Sequence, residues 1–336
     1  MSSFLLKGFQ QGPLLSLKNK EYRLFVQRFL NLQLEEDLRK RDLTTSLLLS
    51  GINSKQTRLR GKAEIFAKQA GILAGVEEFK LFCGLVGISV KSSAEDGETI
   101  HSGDKILVLS GLIPDLLKAE RVGLDLLGRL SGIATITNEL VQKIKKIAKT
   151  RISATRKTLW GNLDKKAVFI GGGLTHRLGL WQAVLIKENH LTALENLGIS
   201  DPFLHSVKSI SCQSAETLRF LRSHRQSERN GFPVFFEIEV ETMGDAVHAG
   251  ELILSQNLKV AAALLLDNFS PREARKTVKV FSENGWQGKI LLEASGGITP
   301  SNIQDYAETG VDLISIGFLT HSAKHFDFSQ RIVKMG

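Results

Sequence analysis

Short runs of branched and aliphatic residues recur through the second half of the chain, and each is followed by a segment with helical spacing of apolar positions. From residue 150 onward the runs are RISATRKT, WQAVLIKENH, PVFFEIEVET, VAAALLLDNF, KILLEASGGIT and VDLISIGFLT. Strands that alternate with helices indicate parallel βαβ units. Apolar runs without strict alternation are typical of strands covered on both faces. The pattern predicts a parallel α/β barrel.

Nearly every predicted strand ends in a charged residue or a glycine. Because the carboxyl ends of parallel strands meet at one rim, these groups are expected to converge where barrel proteins carry their functional sites. One such charge could simply mark the point at which a strand leaves the core for solvent. Charges at successive strands favour a functional rim. The residues concerned are Arg156, Lys157, Lys187, Glu237, Glu239, Asp267, Glu293 and Gly317.

Two glycine-bearing loops follow the last two predicted strands. Ser295, Gly296 and Gly297 follow one strand, and Gly317 follows the next. Glycine lets backbone N–H groups approach an anion closely, and loops at these two positions of a barrel frequently bind phosphate. The sequence therefore predicts a phosphate site.

The predicted rim has a cationic part and an acidic part. Guanidinium groups bind carboxylates in a bidentate manner, so the cationic part suits a substrate with more than one carboxylate. The acidic part suits Mg²⁺ that carries a polyphosphate. Together with the glycine loops, this division favours phosphoribosyl transfer. The cationic residues are Arg156, Lys157, His176, Arg177 and Lys187, and the acidic ones are Glu237, Asp267 and Glu293.

Composition adds few constraints. A hydrophobic content of 42% and a charged content of 24% are ordinary for a globular protein. Of the net charge of +9, much lies in residues 1–60, which hold 11 Lys and Arg against 5 Asp and Glu. A nucleic-acid surface is one interpretation, but no binding module or set of stacking aromatics accompanies it.

The longest apolar run, Val260 to Leu266, is too short for a membrane helix, and no signal peptide is visible. We expect a cytoplasmic protein without nucleic-acid or membrane partners.

The order and spacing of several motifs resemble the quinolinate phosphoribosyltransferase family, also called nicotinate-nucleotide pyrophosphorylases. The resemblance covers nearly the whole chain. It implies an N-terminal open α/β sandwich followed by an incomplete, about seven-stranded parallel α/β barrel. The expected boundaries are an extension at 1–20, the sandwich at 21–129, with 320–336 packing back on it, and the barrel at 130–319. The motifs are ED (36–37), DLTT (42–45), AG (74–75), ER (120–121), LSGIAT (130–135), TRKT (155–158), GGGLTHRLGL (171–180), VLIKENH (184–190), EIEVE (237–241), LLDN (265–268), EASGGI (293–298) and VDLISIGFLTHSAK (311–324).

The resemblance also implies a reaction and an assembly. Phosphoribosyl pyrophosphate and quinolinate would give nicotinate mononucleotide, pyrophosphate and carbon dioxide, with Mg²⁺, in the biosynthesis of NAD. The protein would form a homodimer or a larger homo-oligomer in which Arg121 reaches the neighbouring subunit's site.

Residue roles follow from the same resemblance. Lys157, Glu237 and Asp267 would be catalytic, and the two carboxylates would meet the metal indirectly, through Mg-pyrophosphate. Ser295, Gly296, Gly297 and Gly317 would hold the 5′-phosphate. The remaining substrate-binding residues would be Arg121, Thr155, Arg156, Lys157, His176, Arg177 and Lys187.

Four departures from the family pattern leave other functions open. Ala154 replaces an aspartate, Thr175 an asparagine and Gln182 an aspartate, and the loop 159–163 is about two residues shorter and lacks an arginine. Lys165 or Lys166 could supply the missing cation. The alternatives are a transferase for another carboxylated heterocycle, as in the molybdenum-utilisation branch, and a non-catalytic barrel that binds phosphorylated ligands.

Overall fold

The structure, a computed structural model, describes residues 5–50, 60–211, 235–256, 258 and 261–333. They belong to two compact units. The parallel-sheet unit comprises Met1–Gln11, Leu140–Lys157 and Leu174–Phe318. The antiparallel-sheet unit comprises Gly12–Glu139, Thr158–Gly173 and Leu319–Gly336. In the described part of the chain, no helix has both the length and the apolar character that crossing a membrane requires.

Twelve strands and twelve α-helices are described in these residues. The strands are β1 Arg60–Ala67, β2 Gly71–Ile72, β3 Ser89–Ser92, β4 Thr99–Ile100, β5 Lys105–Leu112, β6 Arg151–Ser153, β7 Val184–Ile186, β8 Phe235–Val240, β9 Ala261–Asp267, β10 Leu291–Ser295, β11 Leu313–Ser315 and β12 Phe328–Val333. The helices are α1 Lys20–Leu38, α2 Leu43–Leu49, α3 Val76–Leu85, α4 Ile113–Lys118, α5 Glu120–Lys145, α6 Asn162–Ile170, α7 Glu188–Asn196, α8 Pro202–Ser211, α9 Met243–Ser255, α10 Pro271–Glu283, α11 Ile303–Ala307 and α12 Phe318–His321.

The antiparallel-sheet unit is built on a four-stranded sheet in the order β12-β1-β5-β3. Along β1, buried and more exposed residues alternate, as expected for a strand with one face on a core and the other towards solvent. The C-terminal strand β12 pairs with β1 in antiparallel register, from Lys62 opposite Val333 to Ala67 opposite Phe328. Strand β12 is therefore an edge strand of this sheet.

The parallel-sheet unit contains a six-stranded sheet in the order β6-β11-β10-β9-β8-β7. Leu174 extends it by one bridge, pairing with Ser153 beside β6. Leu174 at one edge and Ala183, just before β7 at the other edge, belong to one buried cluster with Phe235 and Leu313. The sheet therefore curls around a shared core. The predicted α/β class is confirmed: an antiparallel sheet forms one unit, and the second unit has a parallel sheet, which contains six strands where about seven were expected.

The unit boundaries differ from the expected ones at several places. Residues 12–20, expected in the extension, and 130–139, expected in the barrel, belong to the antiparallel-sheet unit. Residues up to Gln11 belong to the parallel-sheet unit, because Phe9 is fully buried in its core cluster. Residues 158–173 belong to the antiparallel-sheet unit, because Asp164 there pairs with Arg129. Of the predicted strands, Pro233, Val234 and Val260 lie outside the described residues.

Candidate active site at the carboxyl end of the parallel sheet

Strand β8 sends three side chains towards the interior of the curled sheet. Successive residues of a strand point to opposite faces, so Phe235, Glu237 and Glu239 share one face at steps of roughly 6.6 Å. Phe235 lies in the apolar cluster, which identifies this face as the inner one. Glu237 is fully buried, whereas the Glu239 side chain, at the carboxyl end, retains 11% exposure. The strand thus defines an apolar floor, a buried polar layer and a mouth.

The buried polar layer is centred on His176. Its Nε2 lies 3.1 Å from Glu237 Oε2 and 3.6 Å from Glu293 Oε1, and the Ser315 hydroxyl donates a hydrogen bond to Glu293. Burial alone would lower the pKa of His176, but the charges of Glu293 and Glu237 raise it to about 9. Burial, together with the neighbouring Glu293, raises the pKa of Glu237 to about 7. The imidazole is therefore a cation at neutral pH.

Ligand atoms of His176, Glu237 and Glu293 lie within 4.8 Å of one another, close enough to hold a metal ion. Two cations already face the two carboxylates, because the charge of Glu237 also favours the protonated form of Arg177. Buried charges need opposite charges nearby, and here the protein supplies them. We interpret this layer as an ion-pair network.

At the mouth, Lys187 and two carboxylates lie together. Lys187 Nζ is 2.5 Å from Glu239 Oε2, and Asn268 Nδ2 donates a 2.8 Å hydrogen bond to Asp267 Oδ2. Burial and the charge of Glu239 raise the pKa of Asp267, while Lys187 and Lys157 oppose this rise.

The structure therefore separates the two carboxylates to which the sequence assigned one metal-facing role. Glu237 lies in the buried layer beside His176, so it does not share the position of Asp267. Glu239, which the sequence placed at the predicted rim without a catalytic or metal-binding role, is the β8 carboxylate that interacts electrostatically with Asp267. The alternation of β8 was the signal that could have identified Glu239, since it places both glutamates on one face.

The cationic part of the site contains two neighbouring guanidinium groups. Arg177 is buried and donates a 3.1 Å hydrogen bond from its Nη1 to the carbonyl of Ala183. Burial and the charge of Arg156 lower the pKa of Arg177. Arg156 and Lys157 are exposed, in the loop after β6, where Thr155 Oγ1 accepts a 3.1 Å hydrogen bond from the Lys157 amide. Two guanidinium groups that repel each other are stabilised when an anion binds between them.

The loop after β10 adopts the left-handed backbone that glycine permits. Gly296 has φ of 86° and Gly297 has φ of 60°. A Cβ atom at Gly296 would lie 2.2 Å from Asn268 Oδ1, and the Asn268 amide donates to the carbonyl of Ser295 at 2.9 Å. Ser295 and Asp267 are partners at the ends of neighbouring strands. The glycine loop and the acidic mouth are therefore adjacent.

Arg121 lies in the antiparallel-sheet unit. It is the second residue of α5, is largely exposed, and its Nη1 lies 3.4 Å from Asp125 Oδ1. Together with Phe29 and Trp160 it lines a cavity of about 210 Å³. Its predicted role in a neighbouring subunit remains a prediction.

Lys166, one of the two lysines that could have supplied the missing loop cation, is bound to carboxylates of its own unit. Lys166 Nζ donates to Glu78 Oε1 at 2.6 Å and also to Glu77. Burial would lower the pKa of Lys166, but these carboxylates raise it. Lys165 is buried as well.

The shortened loop is instead organised by Asp164. This buried carboxylate accepts a bidentate pair from Arg129, at 2.8 and 2.7 Å. It also accepts hydrogen bonds from the amides of Leu159 and Trp160, at 2.9 and 3.1 Å. The Arg129 guanidinium lies 5.4 Å from the centre of the Trp160 ring. The loop is thus held by a buried charge pair in its own unit.

Comparison with known families matches nearly all of the chain. The model of the quinolinate phosphoribosyl transferase N-terminal domain matches residues 42–131, and that of the C-terminal domain matches residues 133–331. A relative from Methanothermobacter thermautotrophicus is 36% identical over 87% of this chain and 93% of its own length. A relative from Bacillus subtilis is 34% identical over 92% and 94%. Both are described as probable nicotinate-nucleotide pyrophosphorylases (carboxylating).

A solved structure shares the fold over a similar span. The nicotinate-nucleotide pyrophosphorylase from Francisella tularensis superposes with a TM-score of 0.69 at 28% identity. The match covers 92% of this chain and 96% of that one.

Proposed function

Because the chain belongs to the quinolinate phosphoribosyltransferase family, we propose that it joins phosphoribosyl pyrophosphate to quinolinate with loss of carbon dioxide. The products are nicotinate mononucleotide, pyrophosphate and carbon dioxide, so the enzyme is a pentosyltransferase of the nicotinate-nucleotide pyrophosphorylase (carboxylating) type. This reaction serves the biosynthesis of NAD.

The observation that carries the proposal is the pair of neighbouring guanidinium groups, Arg156 and Arg177, beside the mouth of the parallel sheet. Each guanidinium can bind one carboxylate bidentately. A pyridine with two adjacent carboxylates satisfies both charges at once. Lys187 and Lys157, which interact electrostatically with Asp267, add positive charge on the acidic side.

The chemistry needs orientation and electrostatics more than proton transfer. Breaking the ribose–pyrophosphate bond builds positive charge at the anomeric carbon, which Glu239 and Asp267 stabilise. The attacking quinolinate nitrogen carries no proton, so no general base is required. Loss of carbon dioxide from the carbon beside the now positive nitrogen leaves a carbanion that this nitrogen stabilises. Holding the two substrates in line is the main contribution of the protein.

We propose that Mg²⁺ acts at the Glu239 and Asp267 pair rather than at Glu237. The two carboxylates fit this ion because Asp267 and Glu239 are close enough to interact electrostatically and because carboxylate oxygens suit Mg²⁺. When bound, Mg²⁺ offsets the charge that develops on the pyrophosphate leaving group. The backbone of Ser295, Gly296 and Gly297 would hold the 5′-phosphate.

We also propose a homodimer, or a larger homo-oligomer, in which Arg121 completes the neighbouring subunit's site. Arg121 belongs to the antiparallel-sheet unit and Arg156 to the parallel-sheet unit. Mixing Arg121→Ala chains with Arg156→Ala chains should then restore activity, because one site in each mixed dimer regains both arginines. No recovery in verified mixed dimers would contradict a shared site.

The proposed reaction is tested with quinolinate labelled in the carboxylate next to the ring nitrogen. With phosphoribosyl pyrophosphate and Mg²⁺, we expect labelled carbon dioxide and nicotinate mononucleotide in equal amounts. Arg156→Ala should lower the specificity constant for quinolinate by roughly 10- to 150-fold, because a charge-assisted hydrogen bond contributes about 1.5–3 kcal/mol. Arg151→Ala, which removes another exposed arginine from the start of β6, is the matched control. Absence of labelled carbon dioxide would contradict the proposal.

A further inference from the structure

The N-terminal segment, residues 5–11, closes the amino end of the curled parallel sheet. Phe9 is fully buried and stacks on Phe235, with ring centres 4.0 Å apart and planes 10° apart. Phe235, Ala261, Leu291 and Leu313 are the first residues of four neighbouring strands, and all belong to the cluster that contains Phe9. Phe9 therefore forms the apolar floor beneath the buried polar layer.

The same segment is hydrogen-bonded to the residues on either side of Arg177. The amide of His176 donates to the carbonyl of Phe9 at 2.9 Å, and the amide of Gln11 donates to Thr175 Oγ1 at 2.7 Å. On the far side of Arg177, Gln182 Nε2 donates to Gln11 Oε1 at 3.1 Å. One N-terminal residue, Gln11, thus bonds both ends of the turn 175–182.

This turn has a backbone that requires support. His176 has φ of 53°, a left-handed conformation that residues other than glycine adopt at a cost. The Phe9 ring also packs edge-on against the His176 imidazole, with centres 5.2 Å apart. Within the turn, Gln182 Oε1 accepts a 2.8 Å hydrogen bond from the Leu178 amide. The segment therefore fixes the geometry from which Arg177 emerges.

Two of the residues that contact the segment are positions at which the sequence departs from the family pattern. Thr175 stands where the family pattern has an asparagine, and Gln182 where it has an aspartate. In this protein both form hydrogen bonds with Gln11. Gln11 itself is buried and donates from its Nε2 to the carbonyl of Gly8 at 2.7 Å. The polar network is thus continuous from the N-terminal segment to the turn.

We propose that Gln11 is a positioning residue for the dicarboxylate, acting through Thr175 and Gln182 to hold the turn that carries Arg177. The inference rests on the proposed function for the identity of the substrate. Gln11 touches neither the substrate nor the reacting atoms. It sets the direction from which the Arg177 guanidinium meets a carboxylate, so its loss weakens binding of the dicarboxylate and leaves the phosphoribosyl side of the site intact.

The experiment is a double-mutant cycle with Gln11→Ala and Gln182→Ala in the full chain. We expect each single variant to raise KM for quinolinate by about 3- to 10-fold, the effect of one neutral hydrogen bond. KM for phosphoribosyl pyrophosphate and kcat should change less than twofold. Both variants remove the bond between Gln11 and Gln182, although Gln11→Ala also loses the bond to Gly8 and Gln182→Ala the bond from Leu178. The increase in KM of the double variant should therefore be smaller than the product of the two single increases. Lys7→Ala, which changes an exposed residue of the same segment, is the matched control and should behave as wild type.

Binding of benzene-1,2-dicarboxylate, measured by calorimetry, separates this inference from the proposed reaction because it needs no turnover. We expect a weaker Kd by the same factor in Gln11→Ala. An unchanged Kd and KM in a folded Gln11→Ala protein, or additive effects in the cycle, would overturn the positioning role alone. Failure of the wild type to bind this probe would overturn the inference together with the proposed function. If Gln11→Ala does not fold, Gln11→Asn, which withdraws the amide by one methylene, gives the same comparison.

Discussion

Glu237→Gln should lower the pKa of His176, whereas Glu239→Gln should lower catalytic activity, although both residues lie on the inner face of β8. Glu237 is one of two carboxylates that raise the pKa of His176 from 6.5 to about 9. An opposite charge within about 4–6 Å shifts a pKa by roughly 1–3 units. Glu237→Gln should therefore lower the pKa of His176 by about 1–2 units, while Glu293 maintains part of the rise. Glu239→Gln, one strand period farther out, should leave the pKa of His176 within about half a unit of the wild type.

The assay is NMR titration of the histidine ring signals, with His176→Gln identifying the resonance among eight histidines. Steady-state kinetics measure the effect of the Glu239 substitution on catalysis. Glu239→Gln should lower kcat/KM by roughly 10- to 150-fold, since it removes a negative charge proposed to bind Mg²⁺ and to stabilise the developing ribose cation, and one charge-assisted interaction contributes about 1.5–3 kcal/mol. Glu241→Gln, at the next exposed position of the same alternation, is the control and should affect neither measurement.

The raised pKa values of His176 and Glu237 fix the sign of a pH effect on stability. A raised folded-state pKa contributes stability that is complete below the unfolded value and is lost as the pH rises through the folded value. For His176 that window runs from 6.5 to about 9, and for Glu237 from 4.5 to about 7. Both contributions decrease with rising pH, so the free energy of unfolding should depend less on pH in Glu237→Gln than in the wild type.

Equal shifts of the His176 pKa in the Glu237→Gln and Glu239→Gln variants would refute the layered arrangement.

Three further predictions follow from single positions. Gly296→Ala should raise KM for phosphoribosyl pyrophosphate about tenfold or more, because the new Cβ would lie 2.2 Å from Asn268 Oδ1 and displace the loop proposed to hold the 5′-phosphate. Gly288→Ala, with φ of 77° and no atom near the new Cβ, controls for backbone strain alone, and equal kinetics in the two variants would contradict this. Asp164→Ala should destabilise the protein by about 3–5 kcal/mol, because it leaves the half-buried Arg129 guanidinium without its carboxylate partner; an unchanged denaturation midpoint would count against this. Lys157→Ala should move the acidic limb of the pH–rate profile upward, because the Lys157 charge lowers the pKa of Asp267; an unmoved limb would disagree.

The ends of the parallel strands could be predicted because they follow from local patterns. Lys187 and Asp267 each mark the point where an apolar run gives way to polar residues, and the structure places Asp267 at the last position of β9 and Lys187 directly after β7. Parallel pairing then brings Asp267 and Ser295 side by side. No knowledge of the core was needed for these positions.

The depth at which a side chain lies below the mouth of the site could not be predicted in the same way. Alternation places Glu237 and Glu239 on one face, but it does not tell where the apolar floor ends. That level depends on the stagger of neighbouring strands and on Phe9, which occupies the floor from a segment far away in the chain. Gln11 and Lys166 escaped prediction for a related reason, since their partners lie 171 and 88 residues away.

The specificity constants for quinolinate and nicotinate, each measured with saturating phosphoribosyl pyrophosphate and Mg²⁺, test the central claim most directly. A monocarboxylate leaves one of the two guanidinium groups, Arg156 or Arg177, without its partner. Because one charge-assisted hydrogen bond contributes about 1.5–3 kcal/mol, we expect a preference for quinolinate of at least about tenfold. Equal specificity constants, or a preference for nicotinate, would contradict a site built for two carboxylates.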